Sequence, residues 1–411
     1  MILSKYNFYQ NQNNYWIVYN SASSNCLVMT NSDYQKFYNI NGSEEDKKQY
    51  LLLGFYVYEN ENEVNKLIEN SNHRLSHFTK KKFRVLTTTA CNARCPYCYE
   101  EGVCKVSMNQ QTATSVANFI LEQSQNVKAI EIEWFGGEPL LNTSAIDTIC
   151  SIIKQKKRPE LRFESSIVSN ASMIDSNLIQ KMINDWNIYQ IQITIDGLKE
   201  EYERVKALGE GSFEKLIHIL EMLCETKIKV VIRLNFDKNN VEELKNLINY
   251  LSTLPFSKKL EVYPAKINDG KQRTQFILEN ETIQMYKHLH DAGFMTKLKL
   301  LPRTLKTPCA AVHNGYYTIN ADGNLFKCDR KLLAGNSVGS VYEPLKINKE
   351  ITTKWENLSL PERCYQCKLF PLCWGGCIYE RIMGQDFCYI TENIVNNNLN
   401  LILSDYLKEN V

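Results

Sequence analysis

From residue 83 onward, apolar and polar residues alternate in short runs typical of β-strands, and between these runs apolar residues recur with helical period. The predicted strands cover 83–89, 130–135, 163–169, 189–195, 229–236 and 259–265. The predicted helices lie near 108–126, 144–156, 175–186, 212–226, 240–253 and 279–291. Strand–helix units in such a succession predict an α/β fold with a parallel sheet, which is either open or closed as a partial (β/α)6 barrel.

The chain before this region has a different pattern. Three short strand-like runs, "YNFYQ", "YWIVYN" and "CLVMT", are separated by polar turns. Helical stretches follow near 31–39, 44–53 and 60–71. The pattern predicts a small α+β domain over residues 1–76, which the basic segment "HFTKKKF" connects to the strand–helix region.

Beyond about residue 300 the regular pattern largely ends. A hairpin is predicted around Asp322-Gly323, and a last helix over 392–409. A segment with few periodic elements and seven cysteines indicates organisation by metal rather than by a large apolar core. We therefore expect three domains, over residues 1–76, 77–298 and 299–411.

Composition and charge exclude several classes of partner. Of the 411 residues, 44% are hydrophobic and 23% are charged, which is ordinary for a globular protein. The formal net charge is +2, so no global field favours nucleic acid or an anionic membrane. The N-terminal "MILSKYNFYQNQNNYW" lacks the apolar core of a signal peptide, and we find no apolar run long enough for a membrane span. We expect a cytoplasmic protein.

The 14 cysteines are the unusual feature of the composition. In a reducing cytosol, clustered cysteines indicate metal ligands or catalysis rather than disulfides. Three of them form a first cluster: Cys91, Cys95 and Cys98. Seven form a second cluster: Cys309, Cys328, Cys364, Cys367, Cys373, Cys377 and Cys388. Cys150 and Cys224 lie on apolar helical faces and are predicted core residues.

The first cysteine cluster, "CNARCPYCY", follows the first strand of the predicted sheet, where parallel folds carry their chemistry. Three thiolates can bind three irons of a [4Fe–4S] cluster and leave the fourth iron open to an outside ligand. The alternative is a zinc loop completed by a distant cysteine. The spacing resembles the radical S-adenosylmethionine (SAM) superfamily, in which the open iron binds SAM. That resemblance implies reductive cleavage of SAM to a 5′-deoxyadenosyl radical.

Further motifs carry the same resemblance. "EWFGGEPL" contains the GGEP motif of the superfamily, which accepts hydrogen bonds from the SAM ammonium group, and "VSNAS" and "TIDG" resemble later strand endings. The family usually has Gly where Ala171 stands here. The residues that the resemblance implies in cofactor binding are Tyr97, Gly136, Gly137, Glu138, Pro139, Ser169, Asn170 and Arg233. For Arg233 an ordinary ion pair is the alternative.

The second cysteine cluster resembles the SPASM extension of radical SAM enzymes, cysteine for cysteine. That resemblance implies two auxiliary [4Fe–4S] clusters in addition to the SAM-binding one. The first would be held by Cys364, Cys367, Cys373 and Cys388, and the second by Cys309, Cys328 and Cys377. A zinc ribbon is the alternative, although it would need only four cysteines.

Three protein ligands leave one iron of the second auxiliary cluster open. Sulfatase-maturing relatives supply an extra cysteine where this chain has Gly315. A substrate thiolate or a distant ligand such as Cys104 would complete the site. The same relatives place a proposed general base where Asp329 stands; a surface Asp or a loop hydrogen-bond partner is the alternative.

The N-terminal domain bears on the substrate. Its order of three strands and then helices resembles the winged-helix-like peptide-recognition domain of enzymes that modify ribosomal peptides. Such a domain binds an extended leader peptide at a sheet edge, which here would be residues 25–29. A structural cap on the barrel is the alternative.

Together these patterns predict a radical SAM/SPASM oxidoreductase that matures a ribosomal precursor peptide. The expected product is an intrapeptide crosslink, most plausibly a cysteine thioether, and the expected reductant is an external donor such as flavodoxin or ferredoxin. One rival is an anaerobic sulfatase-maturing enzyme that forms formylglycine. A rival of another class is a non-catalytic iron–sulfur electron-transfer protein. We expect no nucleic-acid or membrane partner.

Overall fold

The computed structural model describes residues 1–100, 102–267, 278–330, 332, 334–385 and 388–410. In chain order the strands are β1 Ile2–Leu3, β2 Asn7–Gln12, β3 Tyr15–Asn20, β4 Cys26–Thr30, β5 Tyr56–Val57, β6 Lys80–Thr88, β7 Ala129–Gly136, β8 Arg162–Ser169, β9 Ile188–Thr194, β10 Lys229–Phe236, β11 Leu260–Lys266, β12 Tyr317–Ile319, β13 Asn324–Phe326 and β14 Gly339–Ser340. The helices are α1 Asn31–Tyr38, α2 Glu44–Leu52, α3 Glu63–Ser76, α4 Gln110–Gln123, α5 Thr143–Lys156, α6 Ser176–Asn184, α7 Lys199–Lys206, α8 Ser212–Cys224, α9 Val241–Thr253, α10 Glu279–Asp291, α11 Lys297–Leu300, α12 Lys349–Glu356, α13 Phe370–Cys373, α14 Ile378–Ile382 and α15 Glu392–Asn410. Short 3-10 turns cover Pro139–Asn142, Ser257–Lys259, Ala310–Val312, Ala334–Asn336 and Glu362–Gln366.

The chain divides into two compact units. In the described part of the chain, the first unit contains residues 1–76, 278–309, 359–385 and 388–410. The second unit contains residues 77–100, 102–267, 310–330, 332 and 334–358. Among the helices described, none combines the length and the apolarity needed to cross a membrane.

The second unit is built on one mostly parallel sheet. Its order is β11-β10-β9-β8-β7-β6-β12-β13-β14, and β6 to β11 are parallel neighbours in chain order. Because the order never reverses, these strands are wound in one direction, as in a segment of a barrel. The predicted parallel α/β sheet is confirmed, and the loops after its strands meet at one edge.

The local sequence explains these elements. Both faces of β10 are largely buried, as its nearly continuous apolar run requires in a parallel sheet. Asn109 and Asp175 cap α4 and α6, each accepting a backbone N–H at 2.8 Å. The hairpin predicted at Asp322-Gly323 is present between β12 and β13. Cys150 and Cys224 are buried, as predicted.

Helix α7 is absent from the predicted elements. Six of its eight residues, "KEEYERVK", are charged, so the apolar period that marks a helix is nearly lost. Only Tyr202 and Val205 supply apolar contacts, and they are buried together with Lys206. The connection from β9 to β10 therefore contains two helices, α7 and α8.

The first unit begins with the antiparallel sheet β2-β3-β4. One apolar core lies between this sheet and the following helices, and includes Val18, Phe37 and Tyr56. A second core joins Tyr6 and Val64 to Cys364, Phe370 and Trp374. Helix α15 packs against β2, and β4 is the opposite edge of this sheet.

Candidate functional site

The three clustered thiols lie in the loop that follows β6, and all are half-buried. Burial raises the pKa of Cys91, and the Cys95 and Cys98 thiolates raise it further, so the three sulfurs interact. Among the described residues, no three His, Cys, Asp or Glu side chains converge as one metal ion requires. In an iron–sulfur cluster each thiolate binds a different iron. The three thiols of this loop could each bind one iron of such a cluster.

Two glycines close the end of β7 against this loop. Gly136 has φ +129°, and a Cβ there would lie 2.1 Å from the carbonyl oxygen of Thr88. A Cβ on Gly137 would lie 2.3 Å from the carbonyl oxygen of Ala90. The glycines thus permit contact between neighbouring backbones, and the Glu138 N–H donates to Ala90 at 2.9 Å.

Glu138 joins the ends of β7 and β8. Its carboxylate is 1% exposed and accepts the Ser169 hydroxyl at 2.8 Å, the Asn170 N–H at 2.7 Å and the Leu140 N–H at 3.1 Å. Burial raises the pKa of Glu138, although these hydrogen bonds oppose the shift. The structure therefore brings together Glu138, Ser169 and Asn170. Pro139 follows and accepts the Thr87 hydroxyl at 3.0 Å.

The end of β8 is also tied to the cysteine loop. The Asn170 side chain donates to Asn92 at 2.8 Å, and Asn92 donates to Ser172 at 2.9 Å. Ala171 between them has φ +65°, a left-handed conformation that favours glycine. This explains why Gly is usual at that position in the family and shows that Ala171 retains the turn.

A buried ion pair lies under the middle of the cysteine loop. The Tyr97 hydroxyl donates to Asp196, which follows β9, and the Lys206 ammonium lies 2.9 Å from Asp196. Burial lowers the pKa of Lys206, but Asp196, Tyr97 and Cys95 together outweigh burial, so the pKa is raised. Sequence reasoning missed Lys206. Residue spacing gave no signal for it, because the charged helix α7 was itself not predicted.

Arg233 lies within β10, opposite Thr194 of β9 and Tyr263 of β11. Its Nε donates to the Asn235 side chain at 2.8 Å. The guanidinium group therefore faces polar neighbours across strands whose carboxyl ends border the site. Its predicted role toward SAM stays a prediction.

Asp329 is held next to the cysteine loop by two partners. Arg84 of β6 pairs with it at 2.7 Å, and the hydroxyl of Tyr99, which directly follows Cys98, donates to it at 2.9 Å. Arg84 also pairs with Glu133 at 2.5 Å. The structure thus joins the predicted base to the predicted cluster loop within one unit.

Glu100 is a second acidic residue here that the sequence did not indicate. Burial, and then the Asp329 carboxylate, raises the pKa of Glu100 to about 7. Its Oε1 atom has no hydrogen-bond partner within the described part of the chain. The site therefore contains two interacting carboxylates, of which Asp329 is ion-paired.

The C-terminal cysteines lie mostly in the first unit. Burial raises the pKa of Cys373, and the Cys367 and Cys388 thiolates raise it further, so these sulfurs are also neighbours. Cys364 is buried and packs with Cys367 around Tyr6 and Phe370. The four cysteines expected to hold the first auxiliary cluster therefore occupy the same region.

The other auxiliary set is distributed over both units. Cys309 and Cys377 belong to the first unit and Cys328 to the second, where the Cys328 thiol donates to Asp329 at 3.8 Å. Cys104, a suggested further ligand, is exposed. Gly315 stands where sulfatase-maturing relatives have the extra cysteine, and it lies against Lys81: a Cβ on Gly315 would be 2.9 Å from the Lys81 side chain.

Comparison with known proteins agrees with this site. Residues 85–251 match the family model of the radical SAM superfamily. The chain is 22% identical over 396 residues to the radical SAM cyclopropyl synthase TigE of Paramaledivibacter caminithermalis, covering 86% of this chain and 82% of that protein. It is 24% identical over 323 residues to a cysteine-type anaerobic sulfatase-maturating enzyme of Clostridium novyi, covering 70% and 84%.

Among solved structures, Streptococcus suis SuiB bound to its precursor peptide SuiA superposes with a TM-score of 0.54 and 13% identity, covering 92% of this chain and 95% of that one. At this identity the likeness concerns the fold. The family match covers the strands and loops that carry the thiols, Glu138, Ser169 and Asn170. Residues 85–251 therefore match the radical SAM superfamily, and this stretch contains the clustered thiols of the site.

Proposed function

We propose that this protein is a cytoplasmic radical SAM enzyme that modifies a ribosomally made peptide. The observation that carries the proposal is the three-thiol loop, which hydrogen bonds tie to Glu138 and Asn170 at the carboxyl edge of the sheet. Relatives of this chain include a named cyclopropyl synthase, and the fold is shared with a peptide-bound enzyme. A peptide is therefore the substrate class that best accounts for these similarities.

The residues divide into those that hold cofactors and those that position them. Cys91, Cys95 and Cys98 would hold the SAM-binding [4Fe–4S] cluster, with Glu138 and Arg233 toward SAM. When bound, the cluster and SAM supply the one-electron cleavage that yields a 5′-deoxyadenosyl radical. An external flavodoxin or ferredoxin would supply the electron. The protein's part is to orient substrate and exclude water.

Two auxiliary [4Fe–4S] clusters belong to the proposal. Their ligands would be Cys364, Cys367, Cys373 and Cys388 for one cluster, and Cys309, Cys328 and Cys377 for the other. The Cys367 and Cys388 thiolates raise the pKa of Cys373, and this proximity supports the first set. A peptide thiolate would complete the second.

The bond we propose is a thioether. One hydrogen atom leaves a peptide carbon for 5′-deoxyadenosine, and the cysteine thiol loses a proton. Formation of the carbon–sulfur bond would leave one surplus electron, for which an auxiliary cluster would be the acceptor, so the peptide would lose two hydrogens in all. Asp329, which Arg84 and Tyr99 hold in place, would take the proton.

The first unit offers a place for the leader peptide. Along an antiparallel pair, residues whose backbone groups bond to the partner strand alternate with residues whose backbone groups point away from it. The backbone N–H of Asn20 donates to Asn25 and that of Asn31 donates to Asn14, which fixes this alternation along β3 and β4. In that alternation the backbone N–H and C=O of Val28 point away from β3, so they can pair with an added strand. A groove of about 410 Å³ runs beside β4 and is lined by Leu27, Phe37 and Tyr50, with Asp33 and Asp46.

Mass spectrometry of the candidate substrate tests this function. The small cysteine-bearing peptide encoded nearest the gene is incubated anaerobically with reconstituted enzyme, SAM and reductant. Loss of two hydrogens together with a free thiol would establish the thioether. A cyclised product that retains its thiol would instead indicate a carbon–carbon bond.

A sulfatase-maturing activity is the second candidate, favoured by the similarity to the Clostridium novyi enzyme and by Asp329 beside the loop. A sulfatase-derived peptide with the target cysteine separates the two, because formylglycine formation changes its mass differently. SAM cleavage with neither peptide changed would refute both substrates. Absence of SAM cleavage would favour an electron-transfer protein.

A further inference from the structure

Lys206 is a buried lysine whose ammonium group lies against one thiol of the cysteine loop. The residue is 4% exposed. Its Nζ lies 2.9 Å from Oδ2 of Asp196, 3.5 Å from the hydroxyl oxygen of Tyr97 and 3.7 Å from Sγ of Cys95. Because removal of an ammonium group from water is unfavourable, these contacts must offset its burial.

The surroundings of this group suit an ionised Cys95. The ammonium has three N–H donors. One can go to the Tyr97 hydroxyl oxygen, since that hydroxyl itself donates to Asp196, and a second faces Asp196, its ion-pair partner. The third faces Cys95. A neutral thiol accepts weakly, whereas the thiolate that binds iron accepts well. The arrangement is therefore complementary to a metal-bound Cys95.

The backbone holds this arrangement in place. The Arg94 N–H donates to the Lys206 carbonyl oxygen at 2.9 Å, so the end of α7 and the cysteine loop are joined. By comparison, the Cys91 sulfur accepts the Ala93 N–H at 3.4 Å. Of these two sulfurs, Cys95 is the one that receives a charged donor.

We propose that Lys206 is a positioning residue that acts through Cys95 and raises the reduction potential of the SAM-binding cluster. Reduction adds one electron, and a positive N–H donor at a ligand sulfur stabilises the more negative state. Asp196 opposes this effect because it neutralises part of the ammonium charge. The inference rests on the proposed function, in which the reduced cluster cleaves SAM.

The test is a potentiometric titration of the full-length reconstituted protein, followed by electron paramagnetic resonance. The signal that changes on addition of SAM identifies the cluster, and its midpoint potential is then measured without SAM. Lys206→Met should move the midpoint to a more negative value, and Lys206→Arg should leave it near the wild-type value. Asp196→Asn should move it in the positive direction.

These opposite signs distinguish an electrostatic effect from general disruption of the fold. If Lys206→Met does not fold, two variants replace it: Asp196→Asn and the double variant Lys206→Met/Asp196→Asn. The midpoint potential of the double variant should then be more negative than that of Asp196→Asn. Iron content is the control for cluster loading. An unchanged midpoint in the charge-removing variants, or shifts of the same sign in Lys206→Met and Asp196→Asn, would overturn the inference.

The two proposals fail differently in this experiment. A wild-type protein without any SAM-responsive signal would refute the proposed function and the inference together. A SAM-responsive signal whose midpoint does not depend on residues 196 and 206 would refute the inference alone.

Discussion

Glu138 is the residue that connects the most parts of the candidate site. Its buried carboxylate accepts hydrogen bonds from β8 and from the turn after β7, while its N–H donates to the cysteine loop. A carboxylate in this position fixes the strand ends before any cofactor binds. We therefore expect its removal to lower the stability of the protein.

Glu138→Ala should destabilise the cluster-free protein by roughly 3–5 kcal/mol, because it leaves three buried donors without their acceptor. Glu138→Gln is the matched control, since its oxygen can still accept the Ser169 and Leu140 donors. Urea denaturation under anaerobic conditions measures both. Equal stability of the Ala variant and the wild type would contradict the role assigned here.

Asp329 differs from an ordinary general base because Arg84 is paired with it. We expect Asp329→Asn to reduce peptide modification by about 100-fold, as loss of a base typically does, and to leave SAM cleavage nearly unchanged. Asp322→Asn, in the exposed turn of the same hairpin, should have no effect on either rate. Parallel assays measure the modified peptide and 5′-deoxyadenosine. An equal loss of both would indicate a structural role for Asp329.

At the scale of single residues, the sequence indicates residues that stand in motifs and misses those that do not. Glu138, Ser169 and Asn170 were predicted because they stand in motifs that resemble the radical SAM superfamily, and the structure places them together. Lys206 and Glu100 stand in no motif. Their importance comes from burial beside partners distant in sequence, which residue spacing alone does not show.

At the scale of elements, β4 is the segment on which peptide binding depends in this account. It is an edge strand, and Val28 directs its backbone groups away from β3. The periodic signals that predict such strands are local, so all three strands of this sheet were predicted. Helix α7 was not, because its charges hide its apolar face.

Val28→Pro should reduce leader-peptide affinity by about 10-fold or more. Proline lacks the backbone N–H that would donate a hydrogen bond to an added strand. The hydrogen bonds between β3 and β4 should persist. Val28→Thr keeps the N–H and serves as the control. Fluorescence anisotropy with a labelled leader measures the affinity; unchanged binding by the Pro variant would place the leader elsewhere.

At the scale of the molecule, the first unit is assembled from three separate parts of the chain. Tyr6 and Val64 share a core with Cys364 and Trp374, a contact across some 300 residues that no local pattern indicates. The succession of strands and helices, in contrast, is predictable because it follows from neighbouring residues. The auxiliary cysteines therefore bear on the stability of the N-terminal strands as well.

Iron content reports how many clusters the molecule holds. Three [4Fe–4S] clusters correspond to about 12 irons per chain. Replacement of Cys91, Cys95 and Cys98 by Ala should leave about 8, and replacement of Cys364, Cys367, Cys373 and Cys388 should also leave about 8. Because the latter four line a core of the first unit, we expect only that variant to become sensitive to proteolysis. Equal sensitivity of the two variants would contradict this.

Formation of 5′-deoxyadenosine tests the central claim most directly. Reconstituted protein is mixed anaerobically with SAM and dithionite, and the nucleoside is quantified by liquid chromatography, with the Cys91→Ala/Cys95→Ala/Cys98→Ala variant in parallel. The account predicts 5′-deoxyadenosine from the wild type and none from the variant. Equal amounts from both, or none from a wild type with full iron content, would contradict the assignment of this loop as the SAM-cleaving centre.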